Sequence, residues 1–249
     1  MIQTTDAVIL RSERFRETSR LLTFLTPDFG KIHTLAKGVR RSPGRFGSTF
    51  QLFTCNRIVF YERKRAGLQL LSQCDLIDPF SPIRLDLKRT AYAVYFTELA
   101  DRATEPGDPN GRLYALLLRA LGDLSEKEDL GEIVTLFEVK LLSLSGFFPE
   151  LTRCQGCRGK IAAPCGLSLQ RGGVLCDLCS KNGKGLLQLS MGTLESIRHI
   201  ASSPWELAHR IRIPEKSREE LTEILRQFIE FYLDEKIRSR RFLEEVESL

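Results

Sequence analysis

Four cysteines in two pairs are the residues whose types and spacing indicate chemistry most clearly. Two residues separate Cys154 from Cys157 and Cys176 from Cys179, and a spacer of 18 residues lies between the pairs. This spacing lets four thiolates reach one ion, so it predicts a tetrathiolate zinc site. Tetrahedral iron, unmetallated thiols and an oxidised pair are the alternatives. Four protein ligands leave no position for water or substrate, so the predicted single zinc ion is structural.

The other three cysteines fit no metal pattern. Cys165 lies in the spacer and could replace a ligand, but it lacks a second cysteine at the required spacing, which favours a packing role. Cys55 and Cys74 fall in predicted strands and are expected to be small buried hydrophobes. The chain has an odd total of seven cysteines and begins without the pattern of a signal peptide. We therefore expect reduced thiols and a cytoplasmic protein.

The charge of the chain is unevenly distributed. The 249 residues carry a net charge of +5, but residues 1–70 hold 13 cationic and five acidic residues, a net of +8. The remainder has a net charge of −3. This asymmetry predicts a polyanion-binding module joined to a region with a different function. No apolar run approaches the ~20 residues that span a bilayer, so no membrane association is expected.

Short runs rich in β-branched, aromatic and leucine residues must position the cationic side chains. The runs predict strands at 7–11, 20–26, 31–39, 52–61 and 68–74. Pro27 and Gly30 predict a tight turn between the second and third strands. Five strands without an intervening helix favour a small closed barrel. Strand alternation predicts one face with Lys31, His33 and Lys37 and the opposite face with Ile32, Thr34 and Ala36.

The rest of the chain has helical periodicity, interrupted by the cysteine segment. Patterns in which Pro82 and Pro109 occupy the first helical position, and a third pattern at 133–144, predict three helices. Ser190 is the predicted cap of a fourth, residues 215–237 form a long fifth, and 236–249 is a charged tail, helical or frayed. A bundle would bury these apolar stripes. The predicted domains are a barrel at 1–79, a helical domain at 80–150 and 188–249, and a cysteine insertion at 151–187.

The cationic module is predicted to bind nucleic acid. Arg14 and Arg16 flank Phe15, and cations continue from Lys37 into a glycine-containing loop at 38–48. Phosphates require cations, and exposed aromatic rings stack on unpaired bases. The alternative is that these cations only solubilise a surface and that Phe15 belongs to the core.

Several enzyme classes lack their sequence signatures. The chain has neither the phosphate-binding loop of ATP-binding proteins nor the glycine fingerprint of NAD-binding proteins. The nucleophile motif of serine hydrolases and the His-x-Glu of zinc deaminases are also missing. We therefore predict no catalytic residue, no small-molecule substrate and no cofactor besides the metal.

Residues 17–31 and 36–41 resemble the N-terminal signature of the bacterial RecO recombination mediators. The similarity extends over the whole chain and includes a cysteine insertion after Gly146-Phe147-Phe148-Pro149. Some relatives lack these cysteines. The resemblance implies an α+β multidomain protein: an N-terminal five-stranded oligonucleotide-binding (OB) barrel, then an α-helical bundle with a small zinc-ribbon-like insertion.

The resemblance also implies a function in DNA repair and homologous recombination. Family members bind single- and double-stranded DNA, anneal complementary strands, and cooperate with RecR to load RecA onto DNA coated by single-strand-binding protein. Their helical region binds the acidic tail of that protein. The signature places DNA contacts at Arg20, Lys31, Lys37, Arg40 and Arg41. Charge and position alone add Arg14, Arg16 and Arg45.

Two other functions would fit some of the same features. A zinc-ribbon transcription or translation factor would also be basic and non-enzymatic, but it would not anneal strands coated with single-strand-binding protein. A metal-dependent nuclease would cleave DNA with Mg²⁺ and would need clustered carboxylates, which the sequence does not reveal.

Overall fold

The computed structural model describes residues 1–39, 50–62, 67–181, 185–209, 213–233 and 237–248. The chain divides into two compact units, Met1–Leu130 with Ile237–Leu249 and Gly131–Lys236. None of the helices in the described ranges is long and apolar enough to cross a membrane. The domain boundaries drawn from the sequence stay a prediction.

The first unit contains a closed five-stranded barrel, as predicted. Its strands lie in the order β1, β2, β3, β5, β4, with β3 and β5 parallel and the other pairs antiparallel. The strands are β1 (Ile2–Phe15), β2 (Ser19–Thr26), β3 (Gly30–Ala36), β4 (Cys55–Tyr61) and β5 (Leu68–Asp78).

The predicted turn between β2 and β3 is also present. Gly30 adopts a φ of 63°, and the hydroxyl of Thr26 bonds to both the Phe29 N–H and the Gly30 carbonyl. A Cβ on Gly30 would lie 2.1 Å from the Asp108 carbonyl oxygen, so only glycine fits this close approach. The turn fixes the register of β2 and β3.

Alternation along β3 separates core from surface. Ile32, Thr34 and Ala36 are buried, whereas the residues between them are only partly buried. The predicted faces of β3 are therefore confirmed within the strand, whereas Lys37, which was assigned to the face of Lys31 and His33, follows the end of β3. Cys55 and Cys74 are buried, as predicted, and burial raises the pKa of the Cys74 thiol to about 12.

Helices follow the barrel in sequence. They are α1 (Ser81–Leu85), α2 (Leu87–Arg102), α3 (Gly111–Glu126), α4 (Leu130–Leu144), α5 (Asp177–Ser180), α6 (Met191–Ser202), α7 (Trp205–Ala208), α8 (Glu215–Tyr232) and α9 (Arg238–Glu247). The Ser190 cap is confirmed, because its hydroxyl accepts a hydrogen bond from the Thr193 N–H. The predicted start of α3 was two residues early, since the Asn110 side chain caps that helix at the Leu113 N–H.

The predicted helix at 215–237 is wrong at its end. Helix α8 stops at Tyr232, and the charged tail forms a separate helix, α9, which packs on α2 within the first unit. The Glu98 carboxylate accepts hydrogen bonds from the backbone N–H groups of Arg238 and Ser239. These two groups lack helical partners at the start of a helix, so a glutamate distant in sequence caps the tail.

The cysteine segment folds as a small sheet in the second unit. Strands β6 (Cys165–Ser168), β7 (Gly173–Cys176) and β8 (Leu187–Leu189) pair antiparallel in the order β7, β6, β8. Gly146, with a φ of 75°, follows the end of α4 as predicted.

Candidate metal centre and nucleic-acid interface

The four paired cysteines converge on one point. The sulfur atoms of Cys154, Cys157, Cys176 and Cys179 all lie within 4.8 Å of one another. The Sγ atoms of Cys157 and Cys176 are 3.8 Å apart. A zinc–sulfur bond of about 2.3 Å in a tetrahedron requires sulfur atoms about 3.8 Å apart. The cluster therefore has the size of a tetrathiolate site and can hold a metal ion.

Local backbone turns and the hairpin of β6 and β7 assemble this cluster. Cys154 begins a turn in which its carbonyl accepts the Arg158 N–H, while its own N–H donates to the Gly159 carbonyl. The hairpin then delivers Cys176 at the end of β7, and α5 carries Cys179. A Cβ on Gly156 would lie 2.7 Å from the Cys179 sulfur, so the first turn passes too close to the second for any side chain.

Hydrogen bonds around the sulfurs favour negative charge on one of them. Burial raises the pKa of Cys154, but backbone N–H groups of Cys176, Cys157 and Gly156 outweigh it and lower that pKa to about 6. Cys179 has the opposite shift, because hydrogen bonding with Cys154, Cys176 and Cys157 raises its pKa to about 12. Four crowded thiols cannot all ionise without a cation, whereas a metal ion would stabilise four thiolates.

Cys165 does not join the cluster. Its thiol is buried and donates to the Leu189 carbonyl at 3.0 Å, between β6 and β8. Burial raises the pKa of this thiol. The geometry agrees with the predicted packing role.

Three of the predicted DNA-contact residues surround the tip of the hairpin between β1 and β2. Arg14 and Arg20 lie directly opposite each other across the two strands, and Arg16 follows in the turn with a φ of 57°. Together with Thr18 and Ser19 they line a groove of about 470 Å³, which Glu17 and Val39 complete. We call this the hairpin groove.

The arginines of the hairpin groove have no acidic partner among the residues that the structure describes. Arg20 donates to the Ser12 hydroxyl at 2.9 Å, and the Arg16 guanidinium lies 5.4 Å from the centre of the Phe15 ring. Phe15 is 36% exposed, so it is not a core residue. The groove thus combines unpaired cations with an accessible aromatic ring.

Lys31 lies in a different environment. Its ammonium is 3.1 Å from the Asp101 carboxylate and donates to the Asp101 carbonyl, and its side chain is only 12% exposed. Arg11 pairs with the same carboxylate. Asp101 comes from α2, 70 residues away in sequence, so no local pattern indicated this contact. Lys31 fastens the barrel to a helix instead of presenting its charge to solvent.

The remaining predicted contacts are at the end of β3. Lys37 is exposed. Arg40, Arg41 and Arg45 lie outside the described residues. Sequence reasoning missed the hydroxyls of Thr18 and Ser19 in the groove, although both lie within the stretch that carries the resemblance.

Comparison with protein families identifies both parts of the chain. Residues 1–80 match the family described as "Recombination protein O N terminal", and residues 84–241 match "Recombination protein O C terminal". The chain belongs to the RecO family. The DNA repair protein RecO of Moorella thermoacetica is 33% identical over 247 residues, covering 97% of this chain and 90% of the relative. That of Halalkalibacterium halodurans is 29% identical over 249 residues, covering 100% and 97%.

Membership of the RecO family confirms the predicted family, the repair function and the order of the fold. The family models cover the barrel and the helical region in turn, and the cysteine insertion lies inside the second of them. The hairpin groove lies inside the first. The RecO family assignment thus places the two candidate sites in different parts of a DNA repair protein.

Proposed function

We propose that this RecO-family protein is a non-enzymatic recombination mediator that binds single- and double-stranded DNA through its barrel. The contacts are Arg14, Arg16 and Arg20 of the hairpin groove, extended by Lys37 and the arginines that follow it in sequence. With RecR, the protein loads RecA onto DNA coated by single-strand-binding protein. The observation that carries this proposal is the hairpin groove, where arginines without acidic partners meet an exposed aromatic ring.

The opposed pair of Arg14 and Arg20 is the part of the groove that most requires an anion. Like charges directly opposite each other on neighbouring strands destabilise a sheet. A phosphate between the two guanidinium groups would offset this repulsion, since each arginine offers a planar fork of N–H donors. Phe15 could then stack on the adjacent base.

Strand annealing needs no covalent chemistry from such a protein. Two complementary strands repel each other through their phosphates, and base pairing supplies the driving force once that repulsion is reduced. A cationic groove reduces it. The protein would therefore act in the cytoplasm at the nucleoid, with DNA, RecR and single-strand-binding protein as its partners.

We propose that the metal is one structural zinc ion. The support is the donor set of four soft thiolates at tetrahedral spacing, which suits zinc. Such sites contribute an apparent ~10 to 16 kcal/mol of binding free energy, comparable to the stability of a domain. Metal analysis of protein purified without chelator should give one zinc per chain. Protein that contains iron or no metal would refute the assignment.

The test of the DNA site is the double variant R14A/R20A. Each lost phosphate contact lowers the slope of log affinity against log salt by about 0.7 for single strands, so two contacts lower it by about 1.4. Fluorescence anisotropy with a labelled oligothymidine measures that slope. The control is K88A/R112A, which removes the same charge from exposed positions on α2 and α3. An unchanged slope in R14A/R20A would contradict the proposal.

The mediator activity has its own assays. The wild-type protein should anneal complementary strands coated with single-strand-binding protein, and R14A/R20A should anneal them more slowly. With RecR it should shorten the lag before RecA assembles on the same coated DNA. A protein that binds DNA but does neither would be a DNA-binding protein of another kind.

A further inference from the structure

The cysteine insertion is a second cationic region, which the overall charge conceals. Residues 151–187 contain six lysines and arginines and a single acid, Asp177, a net charge of +5. Outside this segment and residues 1–70, 18 cationic and 26 acidic residues remain, a net of −8. The insertion therefore stands out from the acidic chain on both sides. One zinc ion with four thiolates would add −2 and leave it at +3.

Three arginines of the insertion lie around the first cysteine turn. Arg153 directly precedes Cys154, and Arg158 directly follows Cys157. Arg171 reaches the same turn, because its Nη1 atom lies 3.6 Å from the position that a Cβ on Gly156 would take. All three side chains are exposed, as is that of Lys160. We call these four cations the insertion surface.

The cations of the insertion surface have no ion pair within the described ranges. This distinguishes them from Lys181, whose ammonium lies 3.1 Å from the Asp177 carboxylate. Glu150, the acid nearest in sequence, accepts hydrogen bonds from the N–H and hydroxyl of Thr152. These bonds and, to a smaller degree, the charge of Arg158 lower the pKa of the Glu150 carboxyl, but no ion pair joins the two side chains. The sole acid of the insertion is thus engaged with a lysine outside the insertion surface.

An exposed apolar side chain lies within the second cysteine pair. Leu178 is 77% exposed and lies between Cys176 and Cys179, whose sulfurs are within 4.8 Å of those in the first turn. Unpaired bases offer apolar faces next to phosphates, so a single strand would contact both the arginines and this leucine. An acidic peptide would match the charge but offer no regular apolar face.

We propose that the insertion surface binds the phosphate backbone of a second single DNA strand. This inference rests on the proposed function, because it gives annealing a separate surface for each of its two strands. The metal cluster holds Arg153 and Arg158 on one turn, and the hairpin of β6 and β7 brings Arg171 to it. The hairpin groove holds one strand and the insertion surface the other.

The experiment counts strands on single immobilised protein molecules. Two non-complementary oligothymidines of about 30 nucleotides, labelled in different colours, are added to wild-type protein at low salt. Each binding surface should take one strand, so wild-type molecules should show both colours. R153A/R158A/R171A should show one colour at a time and keep the strand bound by the hairpin groove. Its bulk salt slope should fall by about 2, for three lost phosphate contacts.

Matched variants separate charge from fold. K88A/R112A/R241A removes three exposed cations from elsewhere and should keep both strands. The charge-conserving R153K/R158K/R171K should also keep both, and each variant should contain one metal ion per chain. If R153A/R158A/R171A still carries two strands, the inference is wrong. The same holds if polyglutamate binds the insertion surface and oligothymidine does not. If wild-type protein carries no strand, the proposed function itself fails.

Discussion

Gly156 is the residue through which the geometry of the metal centre can be tested without removing a ligand. In G156A the new methyl group would lie 2.7 Å from the Sγ atom and 2.9 Å from the Cβ atom of Cys179. Ordinary contacts begin near 3.4 Å, so the Cys179 sulfur must move by about 0.7 Å. Metal–ligand distances in real sites vary by only about 0.2 Å. The substitution therefore disturbs the fourth ligand while all four thiols remain.

The expected loss of zinc affinity is larger than the loss caused by mutating a residue that hydrogen-bonds to a metal ligand. Such mutations weaken metal binding by about 10- to 100-fold. We expect G156A to weaken zinc binding by at least about 100-fold, or about 2.8 kcal/mol at 1.4 kcal/mol per factor of ten. Competition with a chromophoric zinc chelator measures the affinity. G159A is the control, because its Cβ would lie 3.3 Å from the Cys157 sulfur and needs only a small adjustment. Equal affinities for G156A and wild type would refute a four-sulfur site of this geometry.

Three further predictions concern stability and pH. G30A should lower the free energy of unfolding, measured in urea, by more than the ~1 to 2 kcal/mol that a positive φ alone costs a residue with a side chain. The additional loss arises because the Asp108 carbonyl blocks the new methyl group. G107A has a similar φ and open space, so it should show only the backbone cost. D101N should lower the free energy of unfolding by about 2 kcal/mol, measured in urea, by unpairing one buried and one half-exposed barrel cation. Because the raised pKa of Cys179 keeps it protonated at neutral pH, zinc affinity should rise at least about tenfold per pH unit from about 6.5 to 8.5. A pH-independent affinity would contradict that protonation state.

The barrel and the four-cysteine cluster could be predicted from sequence because their signals are local. Strand periodicity, the turn at Gly30 and the cysteine spacing each depend on residues close together in the chain. The hydrogen-bond partner of Lys31, in contrast, is far from it in the sequence. Asp101 comes from a helix 70 residues away, so a cation that matches a DNA-binding signature proved to hold the barrel to that helix.

Two other features escaped sequence analysis for related reasons. The start of α9 as a separate helix is stabilised by Glu98, which caps α9 from a distant part of the chain. The insertion surface was hidden by summation, since its positive charge was added to a larger negative charge from the surrounding helices. The net charge of short sequence segments reveals this cationic region. It does not reveal that Arg171 lies beside the first cysteine turn.

A bound metal would change the insertion surface in two opposing ways. It would lower the positive charge of the insertion, which weakens DNA binding, and it would hold the arginines together, which strengthens DNA binding. With neutral cysteines the insertion carries +5, and with one zinc and four thiolates it carries +3. If charge alone governed binding, removal of the metal would strengthen the hold on phosphate. If geometry governs it, removal should weaken the hold, because Arg153 and Arg158 lose the turn that keeps them together. The placement of the cations should outweigh a difference of two charges, because a strand gains three phosphate contacts at once only while those cations are held together. The metal-free protein should therefore bind the second strand more weakly despite its higher charge, and the strand in the hairpin groove should be unaffected.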